Sequence, residues 1–332
     1  MSITAAPAAA PGRMAELTAR AVPLLFVLLW SSSFIAARVG LRHLTPLLFV
    51  ALRMVACAVV LTAVMLVLRR PWHALRGRVW LHCAVAGVLV NGVLLMTAHV
   101  AMVHTPAAPI ALIQTLNPLL TAVLAVPLLG ERLHPLQWLG LLLGLAGVVL
   151  ILGLAALHSR TEFSGLLLTA GGVLGLVAGT LYFGRFCRGV PMLEGATVQF
   201  IACAIACVIC MFVFETPHAD WTPGAVAAVA WNGAFVSLGG MALYFTMLNR
   251  GAAARAAANF YLVPGTAAVM AWLLLGEALA PLTVLGLIIS SVGCALVNRR
   301  IPVARTSPAE SPLPLRGVGP RSGPTRGAER RG

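Results

Sequence analysis

Charge is what this sequence has least of. Charged residues make up 10% of the 332 and hydrophobic residues 60%, against roughly 25% and about 45–50% in a soluble domain. Folded in water, the chain could not coat its own surface. Lysine is absent: all 23 basic residues are Arg. Acids are scarcer still, nine in all: Glu16, Glu131, Glu162, Glu194, Glu215, Asp220, Glu277, Glu310 and Glu329. Each falls at a predicted helix end, a loop or a tail. That scarcity removes two function classes. Exchange of organic cations for protons needs a buried carboxylate to trade a proton for the substrate's charge, and an intramembrane aspartyl protease needs two. HExxH, DDxxD-type and GxSxG patterns are also missing, so an enzyme acting on lipids would lack a metal cluster or an activated nucleophile. No catalytic residue, metal or cofactor is expected.

What is present is apolar sequence in lengths that match a bilayer. Punctuation by Pro, Gly and Arg divides it into ten candidate helices, roughly 21–40, 46–68, 79–102, 106–128, 136–157, 164–184, 195–214, 224–248, 254–275 and 281–298. The expected fold is an all-α polytopic membrane protein. Ala/Pro-rich residues 1–20 and Arg/Pro/Gly-rich residues 299–332 are expected to be disordered tails, and the short connections leave no room for a soluble domain. No convincing small-x-small cleavage site follows Leu24–Ala37, so the first helix is retained. With the N-terminus inside, the cytoplasmic segments hold Arg13, Arg20, Arg69, Arg70, Arg76, Arg78, Arg132, Arg185, Arg188, Arg250, Arg255, Arg299, Arg300 and Arg305, and the outer side only Arg38, Arg42 and Arg160. This bias places both termini in the cytoplasm. The net charge of +14 is scattered among short loops and the tail, so no nucleic-acid partner is expected. The partners are the lipid bilayer and a small-molecule substrate.

The chain also repeats itself. Leu116-Asn-Pro118, Gly130-Glu131, Pro135, Gly140 and Gly147 recur 146 residues later as Leu262-Val-Pro264, Gly276-Glu277, Pro281, Gly286 and Gly293, without a gap. The halves are 21–157 and 158–298, five helices each. Five is odd, so the second copy enters the membrane from the opposite side. Glu131 is then expected at the cytoplasmic end of the fourth helix and Glu277 at the outer end of the ninth. Inverted repeats suit alternating access, because two similar halves can exchange conformations around one site.

Leu29-Trp30-Ser-Ser-Ser33-Phe34, Ala51-Leu-Arg53 and the Pro…Leu-Leu-Gly-Glu…Pro…Gly…Gly cadence closing each half resemble an EamA domain, present twice. From about 21 to 298 the chain is similar to the ten-helix exporters of the drug/metabolite transporter superfamily. The resemblance implies export of amino acids or similar metabolites across a bacterial inner membrane.

Polar groups at membrane depth are the candidates for substrate contact: Trp30, Ser33, Arg53, Asn91, Gln114, Asn117, Trp231, Tyr244, Asn259 and Tyr261. Ser31, Ser32, Thr180, Tyr182, Gln199 and Asn232 share that depth. Singly, each amide or hydroxyl serves as interhelical glue; as a set around one pseudo-axis they outline a central polar cavity. Arg53 stays charged, so it is either a fork for a substrate carboxylate or a side chain reaching to the outer headgroups or to backbone carbonyls. His99 titrates nearest neutrality and is the candidate proton site, a structural imidazole being the simpler reading. Pro118 frees the carbonyl of Gln114, and Pro264-Gly265 offers a matching break. Cys203, Cys207 and Cys210 share one helix face and read as interface filling rather than a metal or redox site. Gly171, Gly175 and Gly179, like Gly140, Gly144 and Gly147, sit at small-residue spacing for close helix contacts, a homodimer seam being the alternative. The Gly-Glu pairs are expected to end helices, with Glu131 and Glu277 in interfacial hydrogen bonds.

The leading expectation is therefore a secondary exporter of small neutral or zwitterionic metabolites. Import or exchange of phosphorylated metabolites would call for more than one buried cation, and Arg53 alone qualifies. A membrane-embedded enzyme ranks below that.

Overall fold

Long runs of Ala, Leu, Val and Met offer the backbone no partner but itself. In lipid, the helix is the way for a single segment to satisfy every N–H and C=O. The computed structural model describes residues 13–71, 77–129, 135–158, 160–187, 189–249, 262–279 and 281–297, and among these it is helical with no strand, apart from an isolated antiparallel bridge between Leu44 and Ala219. In chain order the helices are α1 (Arg13–Gly40), α2 (Pro46–Val67), α3 (Arg78–Gly87), α4 (Leu94–Met102), α5 (Ala107–Gln114), α6 (Leu116–Leu129) and α7 (Pro135–His158). The second half supplies α8 (Arg160–Phe186), α9 (Met192–Phe214), α10 (Pro223–Ala230), α11 (Gly240–Asn249), α12 (Leu262–Leu275) and α13 (Pro281–Val297). π-Helical segments at Val88–Val93 and Trp231–Gly239 join α3 to α4 and α10 to α11. Among the described residues, five stretches are long and apolar enough to cross a membrane: Ala21–Gly40, Pro46–Val67, Arg78–Met102, Arg160–Phe186 and Met192–Phe214.

One boundary needs correction. Residues 13–20, expected in the disordered tail, continue α1 toward the N-terminus. Met-Ala-Glu-Leu-Thr-Ala-Arg is built mainly of good helix formers, and an existing helix extends at little cost where it could not nucleate alone.

Prolines start several helices where their missing N–H is harmless. Pro46 opens α2, and the Glu215 carboxylate accepts from Leu47 N (3.1 Å) and Leu48 N (2.9 Å), capping that helix from the second half of the chain. Thr45 N–H donates to the His218 carbonyl (3.1 Å) and Asp220 N–H to that of His43 (2.9 Å), tying loop 41–45 to loop 215–222. At the far end of the bundle Cys83, Ala86, Cys187 and Val198 form a small buried cluster, and His82 Nδ1 lies 2.6 Å from the Tyr182 hydroxyl.

The major helix contacts obey an exchange rule between halves. The fifth helices of the two halves, α7 and α13, pack together, as do the second helices, α2 and α9. The third helix of the first half (α3–α4) lies on α8 and α9, and its counterpart (α10–α11 with its π segment) lies on α1 and α2. Likewise α12 lies on α1, and α6 on α8.

Glycines set the closest of these approaches. A Cβ on Gly147 would stand 2.6 Å from the Gly286 carbonyl oxygen, and one on Gly293 would stand 2.5 Å from that of Gly140. The seam expected of Gly140, Gly144 and Gly147 therefore lies within the chain, against α13. On α8 the expectation is off by one position. Gly175 and Gly179 do face Val93 and Val90, but Gly171 has nothing within 4 Å of an added Cβ, while one on Gly172 would collide with Thr97 Oγ1. One residue is about 100° of helix rotation, enough to move a position from the seam to the outside.

Candidate functional site

Both third helices are interrupted at the same motif. Asn91-Gly92 lies in the first π segment and Asn232-Gly233 in the second. A π turn carries an extra residue, widens the helix and shifts which groups its carbonyls meet, and such turns recur at functional sites. In the second half the Ser237 hydroxyl donates to the Asn232 carbonyl five residues back (2.9 Å) and accepts from Arg53 Nε on α2 (2.9 Å). The π register thus presents a hydroxyl to the guanidinium.

Arg53 is 6% exposed. Buried and bonded across to the second half, it does not reach to headgroups, and that reading is withdrawn. Cys57, one turn along α2, points its thiol at the Gly233 carbonyl (3.6 Å). Cys57, Cys203 and Cys207 are buried with Met54, Phe200 and Met211 where α2 meets α9, so these cysteines fill an interface.

Among the described residues, two buried acceptors near this network lack hydrogen-bond partners. His99 Nδ1 donates to the Leu95 carbonyl (2.7 Å), its ring stacks on Phe49 with centroids 5.4 Å apart, and its Nε2 is buried without a hydrogen bond. Asn232 Nδ2 donates to the carbonyls of Ser33 (3.3 Å) and Ala228 (3.4 Å), which leaves its buried Oδ1 unmatched. Arg53 lies within electrostatic reach of His99. Unmet acceptors are costly in a dry interior, and water or a polar solute would satisfy them.

The remaining candidates do not all converge here. Trp30 is half-buried near Phe26, with its ring edge at Gly240. Trp231 is 39% exposed, stacks on Phe235 and donates to Ser32 Oγ at 2.8 Å. Asn91 is half-buried. Gln114 and Asn117 are half-buried on either side of a true helix break: α5 ends at Gln114 and α6 begins at Leu116. Thr115 fills the gap, its hydroxyl donating to the Leu112 carbonyl (2.7 Å) and lying 3.2 Å from Ser290 Oγ on α13. α12 runs from Leu262 through Pro264 and Gly265, as α6 runs from Leu116 through Pro118; the position matching the Thr115 break, residue 261, lies outside the described residues. The Tyr244 side chain, Asn259, Tyr261, Gly130 and Glu131 lie outside the described residues. Tyr182 bonds to His82 at the far end, and Thr180 donates to its own helix.

A second polar group escaped sequence reasoning. Gly276, with φ of +68°, ends α12 and turns Glu277 back into the bundle. Glu277 Oε1 accepts from Arg38 Nε (2.8 Å) and Oε2 from Ala107 N at the start of α5 (3.1 Å), while Arg38 Nη1 donates to the Met102 carbonyl (2.5 Å). Glu277 is hydrogen-bonded just past a helix end, as expected; the surprise is its partner. Arg38 had entered only as a topology marker.

The pattern of the EamA-like transporter family matches twice, over residues 19–153 and 163–299. The chain belongs to that family. As an EamA-like transporter it is a multi-pass membrane protein whose relatives are named as transporters. It is 30% identical over 285 residues to a probable terminal-alkyne amino-acid exporter of Streptantibioticus cattleyicolor, covering 83% of this chain and 92% of that protein. It is 26% identical to the uncharacterized transporter YvbV of Bacillus subtilis (82% and 89% covered) and 25% identical to the uncharacterized inner membrane transporter YedA of Escherichia coli K12 (80% and 86%). A crystal structure at 23% identity superimposes with a TM-score of 0.60 over 84% of this chain and 97% of the other, a likeness of fold.

Proposed function

We infer that this EamA-like transporter is a secondary exporter of small neutral or zwitterionic metabolites, amino acids foremost, in a bacterial inner membrane. Its ten segments cross the bilayer as two inverted five-helix repeats, both termini are cytoplasmic, and the loops 41–45 and 215–222 face outward. The observation that carries alternating access is the exchange of helix contacts between halves. Two halves that pack on each other by the same rules can trade conformations, opening the site first to one side and then to the other. The relative named an amino-acid exporter supports the substrate class. The buried Arg53, with an anion-compatible fork, supports a substrate that carries a carboxylate.

Purified protein in liposomes loaded with unlabelled amino acids should take up the labelled counterpart transiently and saturably. Uptake that never overshoots equilibrium and rises linearly with concentration would describe a channel and end this reading.

A further inference from the structure

At the end of the bundle where α1 and α4 finish and α5 starts, a cavity of about 250 Å³ opens between Arg38, Arg42 and Glu277, with apolar walls from Leu41, Met102 and Leu275. It is large enough for several waters or one small solute. One side of it is the Arg38–Glu277 pair, whose side chains are 26% and 15% exposed. Through Met102 O and Ala107 N the pair joins α1, α4 and α5 of the first half to the end of α12 in the second. Those elements must part if this end is to open. Arg42, four residues beyond Arg38, is exposed and has no ion pair among the described residues. The cavity therefore offers one free cation, one carboxylate already matched to a cation, and apolar surface between them.

We propose that this cavity is a vestibule for an α-amino acid zwitterion with an apolar side chain, and that Arg38–Glu277 is the latch beside it. The solute carboxylate pairs with Arg42, its ammonium draws Glu277 from Arg38, and its side chain lies on Leu41 and Leu275. One ion pair replaces another, so the latch opens without stranding a bare carboxylate at low dielectric. Free amino acid is thereby coupled to the opening of this end. The proposal rests on the transport reading above and adds to it a second site, a latch and the residues that read the zwitterion.

Met102 lines the cavity and is 2% exposed, and Met102→Cys makes it a reporter. In nanodiscs, where both faces are accessible, a charged maleimide should label Cys at 102 at least tenfold faster in Arg38→Gln or Glu277→Gln than with the pair intact. Joining both substitutions should add nothing further, since either one opens the same latch. In the Arg38→Gln background leucine should slow labelling at least fivefold. Leucinamide, without the carboxylate, and 4-methylpentanoate, without the ammonium, should not, and Arg42→Gln should abolish protection by leucine. Labelling that neither substitution accelerates overturns the latch. Protection by none of the common amino acids, or equal protection by the two analogues, overturns the vestibule. Counterflow by the unsubstituted protein separates the two readings: counterflow without protection removes the vestibule and leaves the exporter, while protection without counterflow does the reverse.

Discussion

The fifth and third helices of each half stand at corresponding places in the chain and are built in opposite ways. Where α7 meets α13, backbones touch: Gly147 faces Gly286 and Ser290, and Gly293 faces the backbone of Gly140 and Gly144, while Gly144 turns its own open side to Leu119 on α6. Such a contact has one good arrangement, and any added atom must push the helices apart. The third helices instead take an extra residue into a turn, at Val88–Val93 and Trp231–Gly239, and gather polar groups whose bonding is incomplete. The difference teaches that the repeat carries a stiff hinge face and an adaptable face on one scaffold. Polar atoms with unmet valences have other arrangements available; a glycine seam has few.

The sharpest way to break this comparison is to put a side chain into the seam. Gly147→Leu, against the Gly286 carbonyl, should cost about 3 kcal/mol or more, read as a large fall in melting temperature or loss of monodisperse protein. A normal melt would show that the seam yields. Next comes Arg53→Met, which keeps much of the volume and removes the charge. Counterflow should fall at least tenfold, while stability changes by about 1.5–3 kcal/mol, the range for a hydrogen bond to a charged group. Unchanged transport kinetics would make Arg53 purely structural.

Ser237→Ala sharpens the picture from the other partner. It takes the acceptor from Arg53 Nε and the donor from the Asn232 carbonyl, so a loss of about 1–2 kcal/mol is expected, with amide exchange accelerated around Trp231–Gly239. Protection confined to its original pattern would show that the π turn does not depend on this hydroxyl. The smallest effect is set by a pair on α8. Gly171→Ala meets no neighbour and should be neutral or stabilising by up to about 1 kcal/mol, whereas Gly172→Ala collides with Thr97 and should destabilise. Equal melts for the two would mean that α8 does not hold this register.

Much of this arrangement was legible in the sequence because it is written in residue types with one dominant behaviour. Gly276-Glu277 could be read as a helix end, and Pro118 as a break near Gln114, since proline removes a donor and glycine admits positive φ. Arg53 could be singled out because an arginine within an apolar run must find a partner. Its partner could not be read. Ser237 is an ordinary serine until a π turn rotates it toward α2, and the signal available, Asn-Gly in both third helices, marks a weak helix without saying how it will be repaired. Arg38 and Glu277 are 239 residues apart, and a positive-inside count treats the one as a topology marker and sees no reason to pair it with the other. Gly171 against Gly172 failed because spacing gives a periodicity, and only the neighbour fixes its phase.

From the sequence alone came the membrane environment, the doubling at 146 residues and the family, because hydropathy, small-residue punctuation and repeat register are properties of a chain read in one dimension. The tertiary structure decided which glycines touch, that Arg53 faces inward to Ser237, and that Arg38 closes on Glu277. Those are distances between segments far apart along the chain, set by how helices rotate and slide to fill space, and no local preference of any residue contains them.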